Sequence, residues 1–431
     1  MTIKHIMRNI VASILATLSR GIVRKYKPII VMVTGSVGKT STKDAIAAAL
    51  SGRFFLYKSE KSFNSEFGVP LTIIGSKNPW TNAFAWLRVF REALALLFLP
   101  NHYPELLVLE VGADRPGDLA RILRIATPNV VVVTRLPDVP VHVEAYPTPQ
   151  AVRDEEFAPA YALAPSAPLI VSADDQYALM MAKRLPARVI TYGTEKDADV
   201  RFENIRAFEE DEIVEGMQAD VHISGETEQL IVRGSAGRHQ VAPGAVALAV
   251  AQVLDVPIKD ALSGLSEYVS PPGRGRLLHG KNGSCIIDDS YNASPAAVDE
   301  ALTTLKTFIK AKRRIAVLGD MLELGRYSVE EHKRIGTLVA GVADIVIAVG
   351  VRARGIADSA REAGLAKDAV FTFDTASDAI DTVSGLAQKG DLFLVKGSQS
   401  IRAERIVEAL LADPLDKDKL VRQEHEWKSK S

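Results

Sequence analysis

Apolar runs of strand length alternate with helical stretches along the first half of the chain. These runs begin at Ile29, Leu106, Asn129 and Leu169. Because strands buried on both faces have continuous apolar sequences, the alternation predicts a mostly parallel sheet covered by helices on both sides. A second series of apolar runs begins at Cys285, Arg314, Asp344, Val370 and Asp391. It predicts a second α/β unit, of the Rossmann-like kind.

The pattern changes between the two series. Residues 200–234 form short alternating segments separated by turns such as Ser224-Gly225, which predicts antiparallel hairpins. An alanine-rich helix is expected over residues 244–254. The run PPG from Pro271 then interrupts every pattern, so we place the domain boundary there.

The chain therefore divides into four predicted segments. These are a basic amphipathic helix over residues 1–27, a central domain over 28–270, a C-terminal domain over 271–412 and a charged, solvated tail over 413–431. The arm's apolar stretch, residues 10–18, is shorter than the roughly 20 residues that span a bilayer. Two alternatives stay open for the arm, packing on its own domain or lying on a membrane surface.

Composition narrows the protein class. The 431 residues are 47% hydrophobic and 24% charged, so large cores can form and wholesale disorder is excluded. The formal charge of −1 gives no global signature of nucleic-acid binding. Cys285 is the single cysteine, which excludes intramolecular disulfides and multi-cysteine metal sites and fits the reducing cytoplasm.

The strongest chemical signal is a glycine-containing loop between a predicted strand and a predicted helix. It consists of Gly35, Ser36, Val37, Gly38, Lys39, Thr40 and Ser41. In such a loop the backbone amides wrap phosphates, the lysine contacts the outer phosphates and the threonine hydroxyl holds Mg²⁺. Val33 stands where the full motif has glycine, so this is the shorter GxxGKT form. The loop predicts binding of a nucleoside triphosphate.

Other candidate residues follow predicted strands. Glu110 ends a strand of the first series, so its carboxylate is expected near the phosphates, where it would help to hold a metal ion. His142 lies in a later loop and, taken alone, favours a structural role. Asp289 lies at a strand end in the second domain, while Arg274 and Arg276 follow the boundary and would reach phosphates if the domains close.

Seven strings in this order resemble the Mur ligase family, and most closely its branch that adds D-alanyl-D-alanine to UDP-N-acetylmuramoyl-tripeptide. They are TGSVGKTSTK from Thr34, FNSEFGVPLT from Phe63, LEVGADRPGDL from Leu109, HVEAY from His142, IIDDSYNASPAAV from Ile286, LGDMLELG from Leu318 and VKGSQSIRAERI from Val395. The phosphate loop in its context, DDSYNASP and GDMLELG are the specific ones.

The resemblance implies an ATP-dependent amide ligase of peptidoglycan precursor synthesis. ATP phosphorylates a substrate carboxylate, and an amine such as D-Ala-D-Ala then attacks the acyl phosphate of the stem peptide. ATP and Mg²⁺ are the implied cofactors, and no nucleic acid takes part. Lys39 and Arg276 would contact phosphate, although the local GRGR also allows Arg274; Asp289 would support the nucleotide and Asn292 would lie by the adenine.

The resemblance also assigns the metal and substrate sides of the site. Thr40, Glu110 and His142 would hold metal. The residues expected toward the acceptor and the amine are Asn64, Lys396 and Ser398. The catalytic side chains implied are Lys39, Glu110, His142 and Arg276.

Three departures from the family pattern carry further expectations. Only 34 residues precede Gly35, so we expect no separate uridine-binding domain, and the acceptor is either uridine-linked but recognised differently or lipid-linked. Glu156 stands fourteen residues after His142, where the family has a lysine that becomes carbamylated, and is expected to join the metal site. Residues 76–104 form an insertion rich in aromatic side chains, Trp80 among them.

Alternative functions stay open. The same superfamily contains ligases that amidate lipid-linked precursors and folylpolyglutamate synthases. A catalytically silent nucleotide-binding module that regulates wall synthesis is the alternative outside enzymes. DDSYNASP and GDMLELG favour the peptide ligase, while the oligomeric state and a peripheral membrane contact are left open by the sequence.

Overall fold

A computed structural model describes residues 3–60, 64–79, 82–210, 213–308, 310–423 and 427 of the chain. Phe63 and Trp80, named above, lie outside these residues. Within them the fold is α/β with two sheets, as the sequence predicted.

The first sheet and its helices occupy the first part of the chain. In chain order the elements are α1 (Ile3–Tyr26), β1 (Ile29–Thr34), α2 (Lys39–Leu50), β2 (Leu56–Lys58), α3 (Gly68–Ile74), α4 (Ala83–Phe98), β3 (Leu106–Glu110), α5 (Asp118–Leu123), β4 (Val130–Val133), α6 (Pro149–Glu156), α7 (Ala158–Tyr161), β5 (Pro168–Ser172), α8 (Gln176–Ala182), β6 (Arg188–Gly193), β7 (Val200–Glu210), β8 (Ile213–Ile223), β9 (Glu226–Arg233), α9 (Val241–Val253) and α10 (Ile258–Ser266). The strand order is β2-β3-β1-β4-β5-β6-β7-β8-β9.

Strands β2 to β7 pair in parallel, and β7, β8 and β9 form the antiparallel hairpins that the alternation predicted. Side chains of β1 alternate between two cores: Ile30 and Met32 pack on one face, and Val31 and Val33 on the other. This double burial explains the continuous apolar sequence of the central strands. Because chain order reverses around β1, the loop after it lies at a position where α/β sheets bind ligands.

The alanine-rich helix is α9, which begins at Val241, three residues before the predicted start at Gly244. Pro243 lies in the first turn of the helix, where proline is tolerated because its missing amide has no partner to lose. No sequence signal predicted β6, whose residues are less uniformly apolar than those of β1, β3, β4 and β5.

The second sheet belongs to the C-terminal part. Its elements are β10 (Arg276–Gly280), β11 (Ser284–Asp289), α11 (Pro295–Thr307), β12 (Arg313–Gly319), α12 (Ser328–Ala340), β13 (Ile345–Val349), α13 (Arg354–Glu362), β14 (Val370–Phe373), α14 (Ala376–Leu386), β15 (Asp391–Lys396) and α15 (Glu404–Leu410). The strand order is β10-β11-β15-β12-β13-β14, with β10 antiparallel and the others parallel. Each run of the second predicted series is a strand.

Helices α1 and α4 pack side by side on the first sheet. Leu15 and Ile22 of α1 are buried in the same core as Val89 and Ala93 of α4. The Lys25 ammonium donates hydrogen bonds to carbonyls at the end of α4. The arm therefore packs on its own domain. No helix in the described ranges is long and apolar enough to cross a bilayer.

The C-terminal tail is only partly the solvated surface that its charge predicted: residues 413–415, 418 and 419 are exposed, but the segment after them is not. Leu420, Val421 and Arg422 are buried. The Arg422 guanidinium lies 2.9 Å from a carboxylate oxygen of Glu404 and donates to the carbonyl of Tyr291. Two apolar residues and a paired arginine anchor this segment on the C-terminal domain, which a count of charges does not reveal.

Candidate functional site

The phosphate loop joins β1 to α2. Gly35 and Gly38 have φ values of 114° and 89°, a region that favours glycine. A Cβ atom on Gly35 would lie only 2.3 Å from the Thr134 hydroxyl. The start of α2 has no side-chain cap, so its amides are available to an anion. Among the described residues the buried Ser36 hydroxyl has no hydrogen-bond partner, which fits a polar ligand in this loop.

Lys39 and Glu156 meet at the base of the loop. The Lys39 ammonium donates to the carbonyl of Gly35 and lies 3.6 Å from a carboxylate oxygen of Glu156. The other oxygen of Glu156 accepts from the Thr34 hydroxyl at 2.8 Å and from the Gly35 amide at 3.2 Å. Glu155, by contrast, accepts from two backbone amides at the start of α5. Of these two neighbouring glutamates, only Glu156 therefore faces the phosphate loop.

Glu110 lies at the end of β3, beside the start of α2. One of its carboxylate oxygens accepts from the Thr40 hydroxyl at 3.1 Å. The other is buried, has no hydrogen-bond partner among the described residues and lies 3.8 Å from the Lys43 ammonium. A buried carboxylate oxygen without a partner, next to a threonine hydroxyl of a phosphate loop, has the donor chemistry that Mg²⁺ prefers.

Lys43 is a residue that the sequence reasoning missed. Its buried ammonium donates to the Ser59 carbonyl at 2.7 Å. Burial raises the pKa of Glu110, and the positive charges of Lys43, Lys39 and Arg274 oppose that rise. The sequence spacing could have identified Lys43, because it follows Lys39 by four residues and so lies on the same side of α2.

His142 has its partners on both sides of the domain interface. Its Nδ1 lies 2.7 Å from a carboxylate oxygen of Glu323, in the C-terminal domain, and its Nε2 lies 3.4 Å from Asp114. Burial alone would lower the pKa of His142, but the hydrogen bond to Glu323 and the two carboxylate charges raise it above its ordinary value. In the described part of the chain no three carboxylate, imidazole or thiol groups converge as a metal site.

The expected metal set of Thr40, Glu110, His142 and Glu156 is therefore not gathered as one cluster. Glu110 and Thr40 lie together, whereas Glu156 is bound to the phosphate loop and His142 to Glu323. The family pattern, read along the sequence, did not reveal that Glu156 binds the phosphate loop or that His142 binds Glu323.

The two arginines of GRGR point to different places. Arg274 lies over the Tyr291 ring at 4.0 Å and lines a cavity facing the phosphate loop. Arg276 begins β10, and its guanidinium donates to the carbonyl of Lys419. The expectation that Arg276 reaches the phosphates is corrected in favour of Arg274. Gly275, with φ 70°, turns the chain between the two arginines, so they do not share one direction.

Residues of the C-terminal domain form a polar network near the loop. The Lys396 ammonium lies 2.6 Å from a carboxylate oxygen of Asp289 and also donates to the backbone carbonyl of Asn292. The Asn292 side chain accepts from the next backbone amide. The Ser398 hydroxyl accepts from the Leu322 amide, so it holds the GDMLELG loop in place. Ser398 thus has a structural partner where a substrate contact was expected.

Asn64 lies beside the phosphate loop. A Cβ atom on Gly112 would lie 2.8 Å from the Asn64 amide nitrogen and 3.4 Å from the Lys39 side chain. Close packing therefore requires glycine at position 112. Asn64 and Lys39 flank the same point on the edge of the sheet.

A cavity between the two domains brings part of the phosphate loop together with Arg274, Asp289 and Lys396. In the described part of the chain it is lined by Val37, Gly38, Thr40, Ser41, His239, Gln240, Arg274, Asp289, Ala297, Glu300 and Lys396. Asn292 is not in this lining. His239 was missed by the sequence reasoning; burial lowers its pKa, and its Nδ1 has no hydrogen-bond partner among the described residues. The sequence feature that could have pointed to His239 is the string GRHQ, which directly precedes α9.

Two family profiles match the chain. The Mur ligase middle domain matches residues 33–251, and the Mur ligase, glutamate ligase domain matches residues 273–399. The chain belongs to the Mur ligase family. Mur ligases are ATP-dependent enzymes that form C–N bonds, so the predicted family, enzyme class and fold class are confirmed.

Several Mur ligases resemble this chain over most of its length. The UDP-N-acetylmuramoyl-tripeptide--D-alanyl-D-alanine ligase of Bacillus subtilis is 27% identical over 389 residues, which cover 90% of this chain and 76% of that protein. The Mycobacterium tuberculosis enzyme of that name (strain H37Rv) is 28% identical over 407 residues, covering 89% and 73%.

Two solved structures resemble the fold of this chain. The MurF ligase from Thermotoga maritima in complex with ADP superposes with a TM-score of 0.75 at 25% identity, covering 92% of this chain and 83% of that chain. A folylpolyglutamate synthase of Mycobacterium tuberculosis complexed with ADP has a TM-score of 0.64 at 16% identity, with 93% of each chain covered, which is a likeness of fold alone.

Replacing Arg274 and Arg276 one at a time in this Mur ligase distinguishes their roles. Arg274→Ala should lower ATP turnover on the order of 10²-fold, because it removes a cation that faces the phosphate loop. Arg276→Ala should leave turnover nearly unchanged, since its guanidinium contacts the tail. Steady-state phosphate release measures both. Loss of turnover in Arg276→Ala with normal turnover in Arg274→Ala would reverse the assignment.

Proposed function

We propose that this Mur ligase joins D-Ala-D-Ala, or a similar amine, to the stem peptide of a peptidoglycan precursor. The observation that carries the proposal is the cavity between the domains, where the phosphate loop faces Arg274 and the Asp289–Lys396 pair. The names of the relatives and the string DDSYNASP support the same substrates.

Phosphoryl transfer from ATP to the acceptor carboxylate would give ADP and an acyl phosphate. The amine nitrogen then attacks the acyl carbon, phosphate leaves with the bonding electrons, and a proton leaves the nitrogen. In this proposal Lys39 and Arg274 hold the phosphates and offset their charge, while Asn64 orients the acceptor beside Lys39.

We propose that Thr40 and Glu110 would hold Mg²⁺. The buried Glu110 oxygen without a hydrogen-bond partner is the observation that favours this, and the Thr40 hydroxyl lies against the same carboxylate. When bound, the ion supplies positive charge to the phosphates.

Phosphate release tests the function. Purified protein with ATP and Mg²⁺ is offered uridine-linked and lipid-linked stem peptides with a panel of amines, and products are identified by mass. Phosphate release that requires both acceptor and amine, with a new amide product, supports the ligase. ATP binding without phosphate release for any pair would indicate the silent module instead.

We propose that Glu156 supplies the carboxylate that a carbamylated lysine supplies in the family pattern. Its carboxylate is buried against the phosphate loop and lies 3.6 Å from Lys39. A glutamate carries this negative charge without reacting with CO₂, so activity should not depend on bicarbonate.

Assays in CO₂-depleted buffer, with and without added bicarbonate, test this role. Wild-type turnover should be equal in both, and Glu156→Gln should lose on the order of 10-fold or more because the carboxylate that positions the Lys39 ammonium and the Gly35 amide is removed. Glu155→Gln is the matched control, since Glu155 only caps α5. Bicarbonate rescue of the wild type, or full activity in Glu156→Gln, would contradict the role.

We further propose a cytoplasmic location with peripheral membrane contact through α4. Along one side of this helix Phe84, Leu87, Leu94 and Phe98 are exposed, Phe84 at 83% and Phe98 at 77%. Arg91 lies on the same stripe by helical spacing. An exposed apolar stripe with basic side chains fits the interface of an anionic membrane.

Vesicle sedimentation measures this contact. Wild-type protein should sediment with phosphatidylglycerol vesicles but not with neutral ones, and less at high salt. Phe84→Asp with Phe98→Asp should reduce the bound fraction several-fold, while Leu415→Asp, at another highly exposed apolar position, should not. Deleting α1 is unsuitable because Leu15 and Ile22 are core residues. Absence of wild-type sedimentation at low salt would end the proposal.

A further inference from the structure

A second, larger cleft lies beside α1, outside the cavity between the domains. Its volume is about 730 Å³, within the range of small-molecule sites. Its lining includes five arginines, Arg8, Arg20, Arg115, Arg121 and Arg124, and three carboxylates, Glu66, Asp114 and Asp118. Five positive and three negative charges leave the lining with a net charge of +2, so it favours an anion.

The face of α1 that lines the cleft is small and polar. Asn9, Ser13 and Thr17 recur every four residues and therefore lie on one side of the helix, with Arg8 and Arg20 toward its ends. Twelve residues of helix span roughly 18 Å. The cleft is therefore elongated, with guanidinium groups distributed along it.

The cleft borders the catalytic region. Asp114, in its lining, lies 3.4 Å from the Nε2 of His142. Ser65 and Glu66, also in the lining, follow Asn64 directly, and Asn64 lies beside Lys39. A ligand in the cleft can therefore extend toward the phosphate loop.

The arginines differ in the partners they already have. Arg121 forms ion pairs with Glu66 and Asp118, and Arg8 lies 3.6 Å from Glu66. In the ranges that the structure describes, the side chains of Arg20 and Arg115 form no ion pair, and Arg20 donates through Nε alone, to a backbone carbonyl. These two guanidinium groups retain donors for a ligand.

We propose that this cleft binds the diphosphate of the acceptor. The inference rests on the ligase function proposed above and adds a subsite to it. Guanidinium groups bind phosphate oxygens through paired, charge-assisted hydrogen bonds. A stem tripeptide can extend to about 10 Å, so an acceptor whose carboxylate reacts beside Lys39 can place its diphosphate in a neighbouring cleft rather than in the phosphate loop. The diphosphate ester belongs either to a nucleotide or to a polyprenyl lipid.

Calorimetric titration of the full chain, with ADP and Mg²⁺ saturating the phosphate loop, tests this subsite without requiring turnover. The probes are inorganic pyrophosphate, UDP and farnesyl diphosphate. We expect saturable binding that weakens with salt, and a Kd at least about 10-fold higher in the double variant Arg20→Ala, Arg115→Ala. Arg24→Ala, an exposed arginine of α1 outside the cleft, should keep the wild-type Kd.

The probes also identify the source of the diphosphate. Tighter binding of UDP than of pyrophosphate supports a nucleotide-linked acceptor, and tighter binding of farnesyl diphosphate supports a lipid-linked one. Lys39→Ala should bind the probes like the wild type even when turnover is lost, which separates this subsite from the ligase function. No saturable binding in the presence of ADP, or an equal Kd in the double variant and the wild type, would overturn the proposal.

Discussion

Replacing Lys39 with alanine should lower ATP turnover on the order of 10³-fold or more, which corresponds to about 4 kcal/mol of transition-state stabilisation. The Lys39 ammonium lies inside the phosphate loop, next to Gly35 and Glu156, where charge on the transferred phosphoryl group would develop. Its loss also leaves the buried Glu156 carboxylate without the nearby cation. Steady-state phosphate release with acceptor and amine present measures the effect.

Lys183→Ala is the matched control, since Lys183 is an exposed lysine at the end of α8, away from the loop. It should keep wild-type turnover. Circular dichroism establishes that Lys39→Ala is folded, so that lost turnover reports on chemistry. Wild-type turnover in a folded Lys39→Ala protein would remove the phosphate loop from the mechanism.

Glu110→Gln should also lower turnover on the order of 10³-fold, because it removes the carboxylate proposed to hold Mg²⁺ while keeping the shape of the side chain. The substitution leaves the buried Lys43 ammonium 3.8 Å from a neutral group, so a lower melting temperature is expected as well. The Mg²⁺ dependence of ADP binding separates the two effects: the wild type should bind ADP more tightly with Mg²⁺, and the folded variant should lose most of that gain.

Glu105→Gln serves as the control for this substitution. Glu105 is exposed and directly precedes β3, the strand that Glu110 ends. Neither its turnover nor its Mg²⁺ dependence should change. A Glu110→Gln protein that keeps the wild-type Mg²⁺ dependence would show that the ion is held by other groups.

Local features of the sequence were sufficient for the fold class and the phosphate loop. Strands buried on both faces need continuous apolar residues, and this requirement acts within five or six neighbouring positions. The loop needs glycine at positions 35 and 38 because of the backbone conformation there. The position of Glu110 followed from the same rule, since the carboxyl ends of parallel strands lie on one edge of a sheet.

These local rules could not predict contacts between side chains that are far apart in the sequence. The string GRGR left two arginines open, and only the turn at Gly275 and the return of the tail to Arg276 separated Arg274 from Arg276. The motif around His142 suggested a metal ligand, whereas the folded chain brings Glu323 to it from the other domain. Glu155 and Glu156 are neighbours with the same side chain, and their roles differ through what α6 packs against.

The sequence by itself determined most elements of this Mur ligase, the family and the loop that meets phosphate, because these depend on backbone conformation and periodic burial within short segments. Tertiary structure alone decided which charged groups meet. Ion pairs join residues more than one hundred positions apart, as between His142 and Glu323, and the arginine-lined cleft combines α1 with the residues around α5. Such contacts depend on how whole helices and domains pack, which no local pattern specifies.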